Sequence, residues 1–124
     1  MAKAVSTLAA VTVVFSSMAS DAYGHRMTNP GPTGAWTCIH RYEGSWTDSG
    51  DPYWGGLQMD RDFMYTYGWD MIERHHGGFA NRWTPLEQMV VANRARVGVN
   101  WRGRHIGARG FYPWPNTARF CRLI

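Results

Sequence analysis

The sequence predicts a small α+β domain, helix-dominated, with a β-like loop after its first helix and one disulfide. Three observations predict it. The chain has 124 residues, enough for one domain once a leader is removed. Three stretches carry apolar residues at helical spacing with capping signals at their ends. Between the first two lies "SWTDSGDPYWGG" (45–56), broken by Ser-Gly, Asp-Pro and Gly-Gly, which cannot be helical and reads as a turn-rich loop or small hairpin.

The elements follow in order. Residues 1–22 have the order of a secretory signal peptide: Lys3, an apolar run from Ala4 to Phe15, then small residues. That run is too short to span a bilayer, which needs about 20 apolar residues. Cleavage after Ala22 is favoured over Ala19 or Gly24, and an uncleaved anchor or a tail is the alternative. Residues 23–34 read as a linker and 35–124 as the folded domain. The first helix is expected from Ala35 to Glu43, ending at Gly44 in a left-handed turn. Trp36, Ile39, His40 and Glu43 share one of its faces at about 100° per residue. A second helix is expected between Asp60 as cap and Gly68, with Phe63, Met64 and Tyr67 on one side. The segment 69–81 gives little signal. The strongest helix follows, with Thr84 as N-cap, Pro85 at the first position, Glu87 completing a capping box and Gly98 as terminator. Leu86, Met89, Val90 and Val97 are its expected apolar face. The Arg/Gly/aromatic stretch after it reads as mostly irregular.

Composition narrows the function classes. Net charge is +4, and removing 1–22 takes away Lys3 and Asp21 and leaves it unchanged. Such an excess suits an approach to an anionic polymer and equally suits solubility. Seven Trp and six Tyr fit an aromatic core plus a stacking surface for a ring-shaped ligand. Cys38 and Cys121 are an even count in an exported chain and predict one disulfide from the first helix to the C-terminal region. Free or metal-bound thiols are the rival, weakened by the lack of a CxxC spacing.

Glu43 is the residue that points to chemistry. It falls in the last helical turn, on the apolar face, with Trp46, Tyr53 and Trp54 close behind. Desolvation and the helix dipole both disfavour its anion there, and an acid that keeps its proton is what sugar-bond cleavage requires. The plainer alternative is that Glu43 turns outward to pair with Arg41 or an arginine nearer the C-terminus.

Cys38-x4-Glu43, the Gly-Ser-Trp after it, "YWGGLQM" (53–59) and Trp114-Pro115 before Cys121 together resemble the transglycosylase-like domain family of resuscitation-promoting factors. The resemblance runs from about Ala35 to Cys121. It implies a lysozyme-like fold and a secreted, wall-associated enzyme that cuts the β-1,4 bond between N-acetylmuramic acid and N-acetylglucosamine in peptidoglycan. It implies Glu43 as the single catalytic acid and Gln58 as a hydrogen-bonding partner of the glycan. Tyr53 and Trp54 become walls of the cleft, with Trp46 beside them, and Gly55 and Gly56 let backbone approach the sugar. It also matches Cys38 with Cys121 as the family's disulfide. The segment between Glu43 and Gly55 is shorter than in the resuscitation-promoting factors, and the Arg/Gly-rich stretch after Val97 is longer.

A hydrolase needs a second carboxylate roughly 5–9 Å from the first. Asp51 is read as a turn former and Asp60 as a cap, which leaves Asp48 as the candidate. Without such a partner the lytic transglycosylase route is favoured, Glu43 acting as acid and then as base. His40 could orient Glu43 or simply pack. His75-His76 are too close together for a metal site and lack a partnering carboxylate motif, so neither metal nor cofactor is expected. "NWRGRHIGARG" (100–110) reads as a solvated basic loop, with polyanion binding as its alternative. The expected partners are peptidoglycan glycan strands, with a cell-wall endopeptidase left open. No nucleic acid is expected, no membrane after leader cleavage, and the chain is expected to be a monomer. The rival from another class is a non-catalytic wall-glycan-binding or signalling module.

Overall fold

The computed structural model describes residues 29–124; the expected leader and the first half of the linker lie outside the described residues. The architecture is helical with a two-stranded sheet inserted after the first helix. In order the elements are α1 (Thr33–Glu43), β1 (Ser49–Gly50), β2 (Tyr53–Trp54), α2 (Arg61–Tyr67), α3 (Trp69–Arg74), a 3-10 turn (Ala80–Arg82), α4 (Pro85–Val97) and α5 (Pro115–Phe120). None of these helices is long and apolar enough to cross a membrane.

α1 begins two residues before the expected start, the Pro32 carbonyl accepting from Ala35 N–H (3.0 Å) and Trp36 N–H (3.3 Å). Trp36 and Ile39 are buried, as the face predicts, while His40 and Glu43 are half-buried at its edge. Gly44 does end the helix, but in an extended conformation (φ 167°, ψ 179°) rather than the expected left-handed one. The chain therefore runs straight out of α1 into the hairpin. β1 and β2 pair antiparallel, Ser49 opposite Trp54 and Gly50 opposite Tyr53, with Asp51-Pro52 in the turn.

α2 is capped as expected: Asp60 Oδ1 accepts from Phe63 N–H at 2.8 Å, and Phe63, Met64 and Tyr67 are buried. α4 has the full capping box of Thr84 and Glu87, and Gly98 ends it in the left-handed region (φ 85°). A methyl on Gly98 would also come within 2.3 Å of Ala108 N, so glycine is required there twice over.

The expected apolar face of α4 is only half right. Met89 and Val90 are buried, but Leu86 and Val97, at the two ends, are exposed. Every residue from Gln88 to Ala95 is buried instead. α4 is the central helix, enclosed on most sides, so a one-face pattern cannot describe it. Its polar residues are buried with partners: Arg94 donates to the Tyr67 carbonyl (2.8 Å) and pairs with Asp70 through both guanidinium nitrogens (2.7 and 3.1 Å). α3, the 3-10 turn and α5 were invisible to the periodicity argument, because helices of six residues or fewer span less than two turns. The cysteines form the expected bridge, Cys38–Cys121, with Cα atoms 6.0 Å apart and 83 residues between them in sequence.

Candidate functional site

Glu43 is the last residue of α1, half-buried. Its Oε1 accepts a 2.5 Å hydrogen bond from the Thr117 hydroxyl on α5. Thr117 is itself buried, so the donor is held by the packing of α5. Among the described residues no cation pairs with Glu43, so the outward pairing with Arg41 or a later arginine is not what the structure adopts. Thr117 is not among the residues that the sequence pattern singles out. The signal that could have found it is Pro115 after Trp114, a proline at the first position of a helix, which places Thr117 in its first turn.

The hairpin supplies the other side. Gln58 holds a left-handed backbone conformation (φ 48°), uncommon for a residue with a side chain. Its Nε2 donates to Asp48 Oδ2 (2.8 Å) and to the Gly55 carbonyl (2.9 Å). A methyl built on Gly44 would lie 2.9 Å from Gln58 Nε2 and 3.1 Å from Asp48 Oδ2. The Gln58–Asp48 pair therefore packs directly on the residue that follows Glu43. From Gln58 a cavity of about 290 Å³ runs on, lined by Tyr53, Asp62, Tyr67, Arg109 and Trp114 among others. That volume is near the lower end of small-molecule sites, roughly 300 Å³. Glu43 is not in its lining.

Tyr53 is half-exposed and lines that cavity. Trp54 is not a wall. It is buried, meets Phe79 edge-on at 4.9 Å and carries the Arg61 guanidinium 5.4 Å above its ring. Alternation along the strand sends one of the two aromatics inward, and Trp54 is that one. Trp46 is half-buried and stacks on His40 at 4.0 Å. His40 thus packs rather than orienting Glu43, and its Nδ1 has no hydrogen-bond partner among the described residues.

Gly55 and Gly56 also differ from their expected role. Both are buried. A methyl on Gly55 would come within 2.3 Å of Gln88 Oε1, and one on Gly56 within 2.5 Å of Trp46 and 2.6 Å of His40. Their lack of side chains admits protein atoms, not a sugar.

Gln88 is the second residue the sequence argument missed. It is fully buried on α4. Its Oε1 accepts from Gly56 N–H (2.8 Å), and its Nε2 reaches the carbonyls of Ala80 (2.7 Å), Trp46 (2.9 Å) and Trp83 (3.1 Å). One amide thereby ties the hairpin, the loop carrying Trp46 and the 3-10 turn to the central helix. A glutamine in a helix interior gives no sequence signal for this.

His75 does have a carboxylate partner, contrary to expectation. Its Nε2 lies 2.9 and 3.0 Å from the two oxygens of Glu87, which also closes the α4 capping box through Thr84 N–H. Burial pushes the Glu87 carboxyl up, but hydrogen bonds from Thr84 and His75 and the His75 charge outweigh it, so the net effect is to lower it. No group of three or more His, Cys, Asp or Glu suited to a metal occurs among the described residues.

No model of a known protein family, no curated protein and no solved structure matches the chain.

Proposed function

We propose that this protein cleaves the glycan strands of peptidoglycan, with Glu43 as proton donor to the departing sugar oxygen, as a member of the transglycosylase-like, lysozyme-like group that its motifs resemble. The observation that carries the reading is the placement of Glu43: a carboxyl with no ion pair among the described residues, half-buried, with one oxygen held by a buried threonine, next in sequence to the glycine on which Gln58, a residue of the cavity lining, packs. A group arranged in this way has one oxygen positioned and the other available to a substrate, which general acid catalysis requires. Gln58 and Tyr53 are the residues proposed to contact the glycan. The disulfide fits a secreted protein acting at the cell wall.

The lytic transglycosylase route is favoured. In it the sugar's own 6-hydroxyl attacks after Glu43 has donated its proton, and Glu43 then takes up the hydroxyl proton, leaving a 1,6-anhydro end. Asp48 is the candidate second carboxylate of a hydrolase; its Oδ2 is already engaged by Gln58, which suits a residue that positions Gln58. The test is mass spectrometry of soluble fragments released from purified peptidoglycan by wild type and by Glu43→Gln. Anhydro-muropeptides that vanish in the variant support the reading. Reducing ends point to a hydrolase using Asp48. The absence of fragments, with the protein sedimenting on the wall, refutes an enzyme in favour of a binding module.

A further inference from the structure

The charges of this chain are sorted along it. From residue 88 to 124 there are seven arginines and no aspartate or glutamate, whereas 33 to 87 hold eight carboxylates and four arginines. Arg94 is neutralised by Asp70 and Arg96 donates to Asn93 Oδ1. Arg102, Arg104 and Arg109 are exposed, and none has a carboxylate within ion-pair distance among the described residues.

The loop that presents them is built, not slack. Asn100 Oδ1 accepts from the backbone N–H groups of Arg102 (3.0 Å) and Arg104 (2.9 Å), and Asn100 N–H donates to the Arg104 carbonyl (2.9 Å). Trp101 N–H donates to the Thr66 carbonyl on α2 (3.1 Å), Ile106 N–H to that of Gly98 (2.8 Å) and Arg109 N–H to that of Ala95 on α4 (3.0 Å). An open depression of about 630 Å³ lies over Asn100 to Arg104. Holding several like charges in a fixed loop without counter-charges works against folding, and an external anion removes that cost.

We propose that the 100–109 loop is a binding surface for a phosphodiester polymer of the cell wall, of the poly(glycerol phosphate) kind. Guanidinium groups match phosphate oxygens in a bidentate fork, and arginines spaced along a rigid loop meet successive phosphates of a flexible chain. A nucleic acid offers the same phosphates but gains from stacking its bases on open aromatic faces. The loop has no Phe or Tyr, and its one Trp, Trp101, is half-buried and carries the Arg102 guanidinium 4.7 Å over its ring. The choice of a wall polymer rests on the wall-cutting reading above; the cationic loop does not.

The experiment measures binding of lipid-free poly(glycerol phosphate) to the full chain by calorimetry over a salt series, for wild type, Arg102→Gln/Arg104→Gln and Glu43→Gln. By polyelectrolyte behaviour each lost phosphate contact removes roughly 0.7 from the slope of log K against log salt. The double variant should therefore bind about 25-fold more weakly at about 0.1 M salt, with a slope shallower by about 1.4. It should still digest polymer-free peptidoglycan at the wild-type rate, and Glu43→Gln should bind the polymer normally. If no glycan is cleaved by wild type but the salt-dependent binding persists, the wall-cutting reading fails and the loop assignment stands. Equal binding by wild type and the double variant overturns the assignment, as does tighter binding to single-stranded DNA of equal phosphate number or to anionic vesicles.

Discussion

Replacing Gln88 by leucine is the most informative perturbation of the framework under the site. The volume changes little, but the hub is lost. Gly56 N–H loses its acceptor in a buried position, and the Trp46 and Trp83 carbonyls lose the amide that reaches them, while the Ala80 carbonyl keeps Trp83 N–H. A buried donor left unpaired costs about 1–3 kcal/mol, and under-satisfied carbonyls cost less, so the total is about 3 kcal/mol. For a domain of this size that lowers Tm by roughly 12–24 °C, a large share of a stability of about 5–15 kcal/mol. Urea and thermal unfolding followed by circular dichroism read it directly. Because Gln88 holds Gly56, two residues from Gln58, glycan cleavage should also fall at temperatures where the variant is still folded. A loss below about 1 kcal/mol would mean that water or a backbone shift replaces the amide, and would refute the claim that Gln88 fixes the hairpin.

Three further outcomes follow from other contacts. Thr117→Val removes the donor to Glu43 without changing shape; a hydrogen bond to a charged group is worth about 1.5–3 kcal/mol, so kcat should drop about tenfold to a hundredfold with KM little changed, and Thr117→Ser should restore it. A purely structural role would instead lower Tm and leave kcat alone. Glu87 is held below its ordinary value, so its share of stability is present above the unfolded glutamate range and is lost as pH falls through the folded value; urea midpoints measured from pH 6 to pH 3 should fall less steeply in Glu87→Gln than in wild type. Reducing Cys38–Cys121 reopens a loop of 83 residues, for which chain entropy gives about 4.5 kcal/mol; a denaturation midpoint unchanged by reductant would refute that contribution.

Much of the frame was legible because it is written in local signals. Asp60, Thr84, Pro85, Glu87 and Gly98 mark helix ends through chemistry within a few residues of themselves, and α2 and α4 begin and end where these say. The two glycines and the Asp-Pro turn marked the hairpin in the same way. What was not legible depends on contacts across the chain. Trp54 and Tyr53 are equivalent in composition, and only the pairing register decides that Trp54 turns inward. Gly55 and Gly56 read as room for a ligand, because sequence alone cannot say that Gln88, over thirty residues later, and Trp46 take up that room. Leu86 and Val97 failed for the opposite reason: the enclosure of α4 buries its middle on all sides, polar residues included, and leaves its ends outside.

The position of Glu43 follows from the way α1 and α5 meet. Cys38 bonds to Cys121, Tyr42 stacks on Phe120 at 5.6 Å, and Glu43 accepts from Thr117. Residue numbers rise on one side as they fall on the other, so the two helices run antiparallel with three kinds of contact between them. The covalent contact lies one helical turn from Thr117 and limits how far α5 can move from α1. The hydrogen bond is the only one of the three that involves a carboxyl group, and it lies at the end of α1 where the chain turns away into the hairpin. The bridge and the buried core hold α1 and α5 together without the carboxyl. A glutamate at the edge of an apolar face is a poor choice for stabilising a small domain, and the surrounding contacts show where that cost is offset.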